Sequence, residues 1–188
     1  IRNLARKGTI KPLPLIDLNG YSVLFKGTIN IIQGKSGTHK SRFAEHIASI
    51  LINPNAKILF KNGFKAHMKS KVIYLDTERS EIYNLPDTIN KMKKISGNLR
   101  ITRWLNLTSL LNLKKKDRLL SMVDYIDQIV SRSKSVHHVI FIDVLTDIIH
   151  DFNNPKESMS LIDTLNRIVS KYKCTLIGVI HENHSVES

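Results

Sequence analysis

The sequence predicts an α/β fold whose mostly parallel sheet is covered by helices on both faces. Two observations carry this. Several short β-rich runs are apolar throughout instead of alternating, and amphipathic helical stretches separate them. A strand buried on both faces has no polar side to show, and parallel strands need long crossovers between them.

Residues 28–33 (TINIIQ) read as the first buried strand, followed by a glycine-containing loop. Over 40–52, Phe43, Ala44, Ile47, Ala48 and Leu51 recur at the spacing of one helix face, and Asn53-Pro54-Asn55 stops the run. Residues 57–71 form the least orderly stretch, read as a loop or short hairpin. Residues 71–76 (KVIYLD) are a strand; a helix is expected over 87–95 and a strand over 99–105. Residues 117–132 are helical, 138–144 (HVIFIDV) form a buried strand, 156–172 are helical behind the start signal Asn154-Pro155, and 174–181 (CTLIGVIH) close the series. Stretches 54–71 and 106–116 are the candidate linkers, both read as insertions in one domain spanning 1–188.

The 188 residues suffice for one domain with a full core. No apolar run approaches the roughly 20 residues of a membrane span, and the first residues lack the apolar core of a secretory signal. The chain starts at Ile1, which fits a processed chain or a fragment. Cys174 is the single cysteine; it precedes an apolar run, so core packing in a reducing, cytoplasmic setting is its expected role. The formal charge is +13, from 29 Lys plus Arg against 16 Asp plus Glu. Such an excess attracts polyanions, although a solvated basic surface accounts for it equally well.

The most informative motif is Gly34-Lys35-Ser36-Gly37-Thr38-His39-Lys40-Ser41, followed by Arg42, between the first strand and the first helix. It follows the phosphate-loop pattern G-x-x-x-x-G-K-[ST] except that His39 stands where the second glycine belongs. Gly34 and Gly37 let the backbone curl so that its amides meet phosphate oxygens, and the helix N-terminus adds its dipole. Lys40 is the candidate partner of the β- and γ-phosphates, and Ser41 of Mg²⁺. A non-glycine residue at a left-handed position costs about 1 kcal/mol, so a slow or inactive site is an open alternative.

Asp143 ends a buried strand, at the sheet edge where open α/β folds bind ligands; it is the second candidate magnesium ligand. Glu78, in Asp76-Thr77-Glu78, is the candidate for activating a water beside the γ-phosphate, against the alternative of a helix-capping cluster. His181 and Asn183, at the end of the last strand, are candidate sensors of the γ-phosphate, with Thr146 and Asp147 weaker candidates.

Taken in order, GKSGTHKS, VIYLDTE, VIFIDV and TLIGVIHEN resemble the motifs of the RecA-like ATPases, particularly the branch of the hexameric plasmid replication helicase RepA. The matching pieces cover roughly 28–183. The resemblance implies a RecA-like core binding ATP and Mg²⁺ at subunit interfaces. It assigns phosphate binding to Lys40, magnesium to Ser41 and Asp143, water activation to catalytic Glu78, and the sensor region to His181 and Asn183. It further implies homo-oligomers, often hexamers, acting on DNA. That family's core normally continues with further strands, so the single domain over 1–188 is expected to be without the C-terminal strands of that core.

Basic residues cluster over 57–71, at Lys91, Lys93, Lys94, Arg100 and Arg103 beside Trp104, and at Lys114, Lys115, Lys116 and Arg118. Lysines with interleaved aromatics suit sequence-independent contact with single-stranded DNA. A regulatory ATP-binding switch with a protein partner is the competing reading. A small-molecule kinase comes third, and the lack of an Asn-Lys-x-Asp motif speaks against a GTPase.

Overall fold

The computed structural model describes residues 12–56 and 63–182. Five strands form a parallel sheet: β3 (Ile29–Gly34), β5 (Lys71–Asp76), β6 (Leu105–Ser109), β7 (His138–Asp143) and β8 (Thr175–His181), in the order β3-β8-β7-β5-β6. This is the RecA-like P-loop core the motifs imply. Helices α1 (Lys40–Ile52) and α2 (Leu85–Ser96) cover one face; α3 (Lys115–Ser131) and α4 (Pro155–Tyr172) cover the other.

The apolar strands serve both layers because successive side chains point to opposite faces. Val72 and Tyr74 of β5 join Val139 and Phe141 of β7 under α1, whereas Ile73, Leu75, Ile140 and Ile142 pack beneath α3 and α4. The Tyr74 and Phe141 rings stack at 5.4 Å between centroids. Cys174 is fully buried in the second layer, and burial pushes its thiol up to about 11, which suits a packing role. Asn154 caps α4 by accepting from the Lys156 and Glu157 amides at 3.0 and 3.4 Å, with Pro155 at the first helical turn.

Two expectations are corrected, and one element is new. Residues 101–103 form a 3-10 turn, so the strand expected over 99–105 begins at Leu105 and runs through Ser109. That strand lies inside the stretch read as a linker over 106–116. Its alternating leucines face the α1–α2 layer from the sheet's edge, so its polar half looks like a loop. A second, antiparallel sheet, β2-β1-β4, was not anticipated: β1 (Pro14–Leu18), β2 (Tyr21–Phe25) and β4 (Phe64–Ala66). Its hairpin turns through Asn19 and Gly20, both at positive φ, and Leu15 and Ile16 are fully buried in the first core layer. β4 supplies one strand within the basic stretch; residues 57–62 lie outside the described residues.

The start of β7 carries a pH-sensitive pair. His137 Nε2 lies 3.1 Å from Thr175 Oγ1, and His138 Nε2 lies 2.9 Å from Ser133 Oγ. Burial, reinforced by Lys26, pushes His137 down to about 4, and burial lowers His138 as well. A histidine titrates near 6.5 in an unfolded chain. Above that pH neither state binds the proton; between 6.5 and about 4 the unfolded chain binds it first, so stability falls with pH. The loss by pH 5 is expected to be about 1 kcal/mol after allowing for solvent screening. Urea midpoints at pH 7.5 and 5 for the wild type and His137→Gln check this; an unchanged pH slope in the variant contradicts it.

Candidate functional site

Parallel pairing sets the carboxyl ends of the strands in one row. Gly34 pairs with His181, and Asp76 pairs with Asp143. The loops leaving this edge therefore share one region, which is where open α/β sheets bind ligands.

Between β3 and α1, the backbone enters the left-handed region at Gly37 (φ 77°) and again at His39 (φ 61°). Such reversals turn neighbouring amides toward a common side, and the first amides of α1 have no acceptor further back in the helix. A Cβ on Gly34 would lie 3.1 Å from Thr38 Oγ1 and 3.6 Å from Lys40 Cδ, because the loop folds back over it. Thr38 closes the turn by donating its hydroxyl to the Lys35 carbonyl at 2.7 Å. The position of the missing glycine does take positive φ, so His39 bears the cost of about 1 kcal/mol.

Lys40 is 6% exposed, and its ammonium donates to the Lys35 carbonyl at 2.6 Å. The Ser41 hydroxyl donates to Asp143 Oδ1 at 3.0 Å. Tyr74, buried in the sheet, donates to Asp143 Oδ2 at 2.8 Å. Burial raises the Asp143 carboxyl above its ordinary range, while the Tyr74 and Ser41 hydrogen bonds pull the other way. A hydroxyl beside a carboxylate is the hard-oxygen donor set that Mg²⁺ prefers. The chemistry of these residues therefore fits a magnesium ion, which Ser41 and Asp143 would hold.

A cavity of about 340 Å³ opens here, lined among others by Gly37, Lys40, Ser41, Glu78, Arg79 and His181. Ser36, His39 and Arg42 also border it. Glu78 sits on the loop after β5, where its amide donates to Asp76 Oδ1 at 3.0 Å. Its carboxylate lies 3.3 Å from His181 Nε2. The fold thus brings Lys40, Ser41, Glu78, Asp143 and His181 together from four separate segments. Asn183 lies outside the described residues, and Asp147 stands on the 3-10 turn Leu145–Ile148, where its carbonyl accepts from Arg118.

Sequence reasoning missed Arg79. Its side chain ties Asp76, Glu45 and Asp143 together, and all three acids are buried. Burial alone would favour loss of its proton, but Asp76 foremost, with Tyr74 and Glu45, holds the guanidinium above its ordinary pKa. Adjacency to Glu78 is the one signal available in the sequence.

Two groups assigned to the basic surface are committed elsewhere. Arg118 is 6% exposed and donates to the carbonyls of Leu111, Leu113 and Asp147 at 3.1, 3.2 and 3.0 Å, closing the loop before α3. Trp104 packs partly against the core, and Lys69 Nζ sits 3.9 Å from its ring centroid. Among the described residues, no helix is long and apolar enough to cross a membrane.

A phosphate loop joining an outer strand of a parallel sheet to a helix, with a strand-end carboxylate on its serine, defines a P-loop nucleotide-binding domain. The chain belongs to the AAA domain family, whose model matches residues 7–187. No curated protein matches it in sequence. Family membership places the chain among ATPase-type P-loop domains.

Proposed function

We propose that this chain binds Mg·ATP at the cavity beside Lys40, hydrolyses it, and uses the cycle to act on DNA within a homo-oligomer, as a helicase or a replication or mobilisation ATPase. The observation that carries the nucleotide half is the Ser41–Asp143 hydrogen bond beside the buried Lys40, with Glu78 on the same cavity wall. Amides of 34–42 and the Lys40 ammonium hold the phosphates. Ser41 and Asp143 hold the magnesium, which when bound offsets phosphate charge. Glu78 orients a water and accepts its proton, and His181 senses the terminal phosphate through its contact with Glu78. The RepA-type resemblance and the charge of +13 support DNA as the partner, and the resemblance supports an assembly of several copies, such as a hexamer.

A regulatory switch that binds ATP and a protein partner is the second reading. It is favoured by the internal commitment of Arg118 and the Lys69-capped ring of Trp104, which removes two groups from any DNA-contacting surface. The discriminating experiment measures ATP turnover with and without single-stranded DNA, and DNA retention across a salt series. Stimulated turnover with retention that weakens as salt rises is expected. Turnover indifferent to DNA, together with no salt-sensitive retention, removes the DNA role and leaves the switch.

A further inference from the structure

We propose that Arg79 is the cation that stabilises the terminal phosphate during hydrolysis, supplied from within the same chain and held ready by Asp76 and Glu45. The inference rests on the ATPase reading above and adds a residue to it.

Three sides of the guanidinium are occupied unequally. Nε donates to Asp76 Oδ2 at 2.5 Å. Nη1 donates to Glu45 and, at 3.0 Å, to Thr88 Oγ1. Nη2 makes the long contact, 3.4 Å to Asp143 Oδ2, and Asp143 is the carboxylate that receives Ser41. The two close anchors come from α1 and β5, and the third from α2, so the side chain is fixed by three elements independently of the phosphate loop. Yet Arg79 also borders the cavity, with Lys40, Ser41, Glu78 and His181. Glu45, which anchors Nη1, borders the cavity too, and the weakly bonded Nη2 reaches toward Asp143, the partner of Ser41.

That arrangement suits electrostatic stabilisation. In hydrolysis the oxygen of water bonds to the terminal phosphorus as the bond to the bridging oxygen breaks, the water's proton passes to Glu78, and ADP and phosphate result. Arg79 exchanges no proton. Negative charge is redistributed over the phosphoryl oxygens, and a cation already oriented needs no reorganisation to meet it. A purely structural ion-pair knot predicts something different: its loss would weaken folding and nucleotide binding together.

The test compares wild type, Arg79→Ala and Arg79→Lys by affinity for a fluorescent ATP analogue and by single-turnover hydrolysis. Affinity is expected to stay within about threefold while the hydrolysis rate falls about 10²–10³-fold in Arg79→Ala. Arg79→Lys should lose at least about tenfold, because an ammonium lacks the planar fork. Millimolar guanidinium should restore part of the rate to Arg79→Ala and none to Arg79→Lys. Hydrolysis within about threefold of wild type in either variant overturns the proposal, as does a rate loss that merely tracks lost affinity. If circular dichroism shows Arg79→Ala unfolded, Arg79→Lys decides alone. A wild type that binds ATP without turning it over refutes the role of Arg79 and leaves nucleotide binding standing; a wild type that binds no ATP refutes the reading beneath it.

Discussion

Glu78→Gln is expected to bind ATP as tightly as the wild type and to hydrolyse it about 10²–10⁴-fold more slowly, the usual contribution of a positioned general base. The substitution keeps the shape of the side chain and removes only its charge and its ability to take a proton. Glu78 is half-exposed and contributes no core packing, so folding should survive. Its backbone is set independently of its carboxylate, by the bond from its amide to Asp76. The neighbouring groups proposed to grip phosphate, Lys40 and the loop amides, are untouched. Among the described residues, the one side-chain contact disturbed is that with His181 Nε2, and an amide oxygen still offers an acceptor there. Equilibrium binding of a fluorescent ATP analogue and single-turnover hydrolysis separate the two effects. Turnover within about threefold of wild type would show that Glu78 is the capping residue its neighbours Asp76 and Thr77 suggest. Loss of binding would mean that the carboxylate supports the loop itself.

How far the sequence reveals this molecule depends on where each signal originates. The strands at 71–76 and 138–143 announce themselves because burial on both faces demands uninterrupted apolar residues. The phosphate loop is legible because its spacing is local, and the pairing of Ser41 with Asp143 follows once both are placed at the same sheet edge. The edge strand β6 meets the core with one face only, so Asn106 and Thr108 read as loop residues. The antiparallel hairpin was announced by Asn19-Gly20, a strong turn signal, but its strands are five residues long and half exposed. Arg79 is illegible for a different reason. Its partners Glu45, Asp76 and Asp143 stand far apart in the chain, and only the sheet order gathers them around it. Arg118 misleads in the opposite sense. Beside three lysines it resembles a phosphate ligand, whereas the fold turns it inward onto three carbonyls.

Lys40→Ala separates the cost of building the site from its use. An ammonium buried to 6% exposure is expensive to desolvate, and the bond to the Lys35 carbonyl engages one of its three donors. Phosphate oxygens would engage the others through charge-assisted bonds, each roughly twice as strong as a neutral one. The native fold therefore gains little from Lys40, while bound nucleotide gains much. Alanine should leave the unfolding free energy within about 1 kcal/mol of wild type, since it is also a good helix former at the first turn of α1. ATP affinity should fall by at least about 100-fold, the equivalent of roughly 3 kcal/mol. Urea unfolding and analogue binding on the same preparations give both numbers. A variant that is much less stable, yet binds the analogue normally when folded, would place Lys40 in the architecture of the loop and would remove the phosphate from its role.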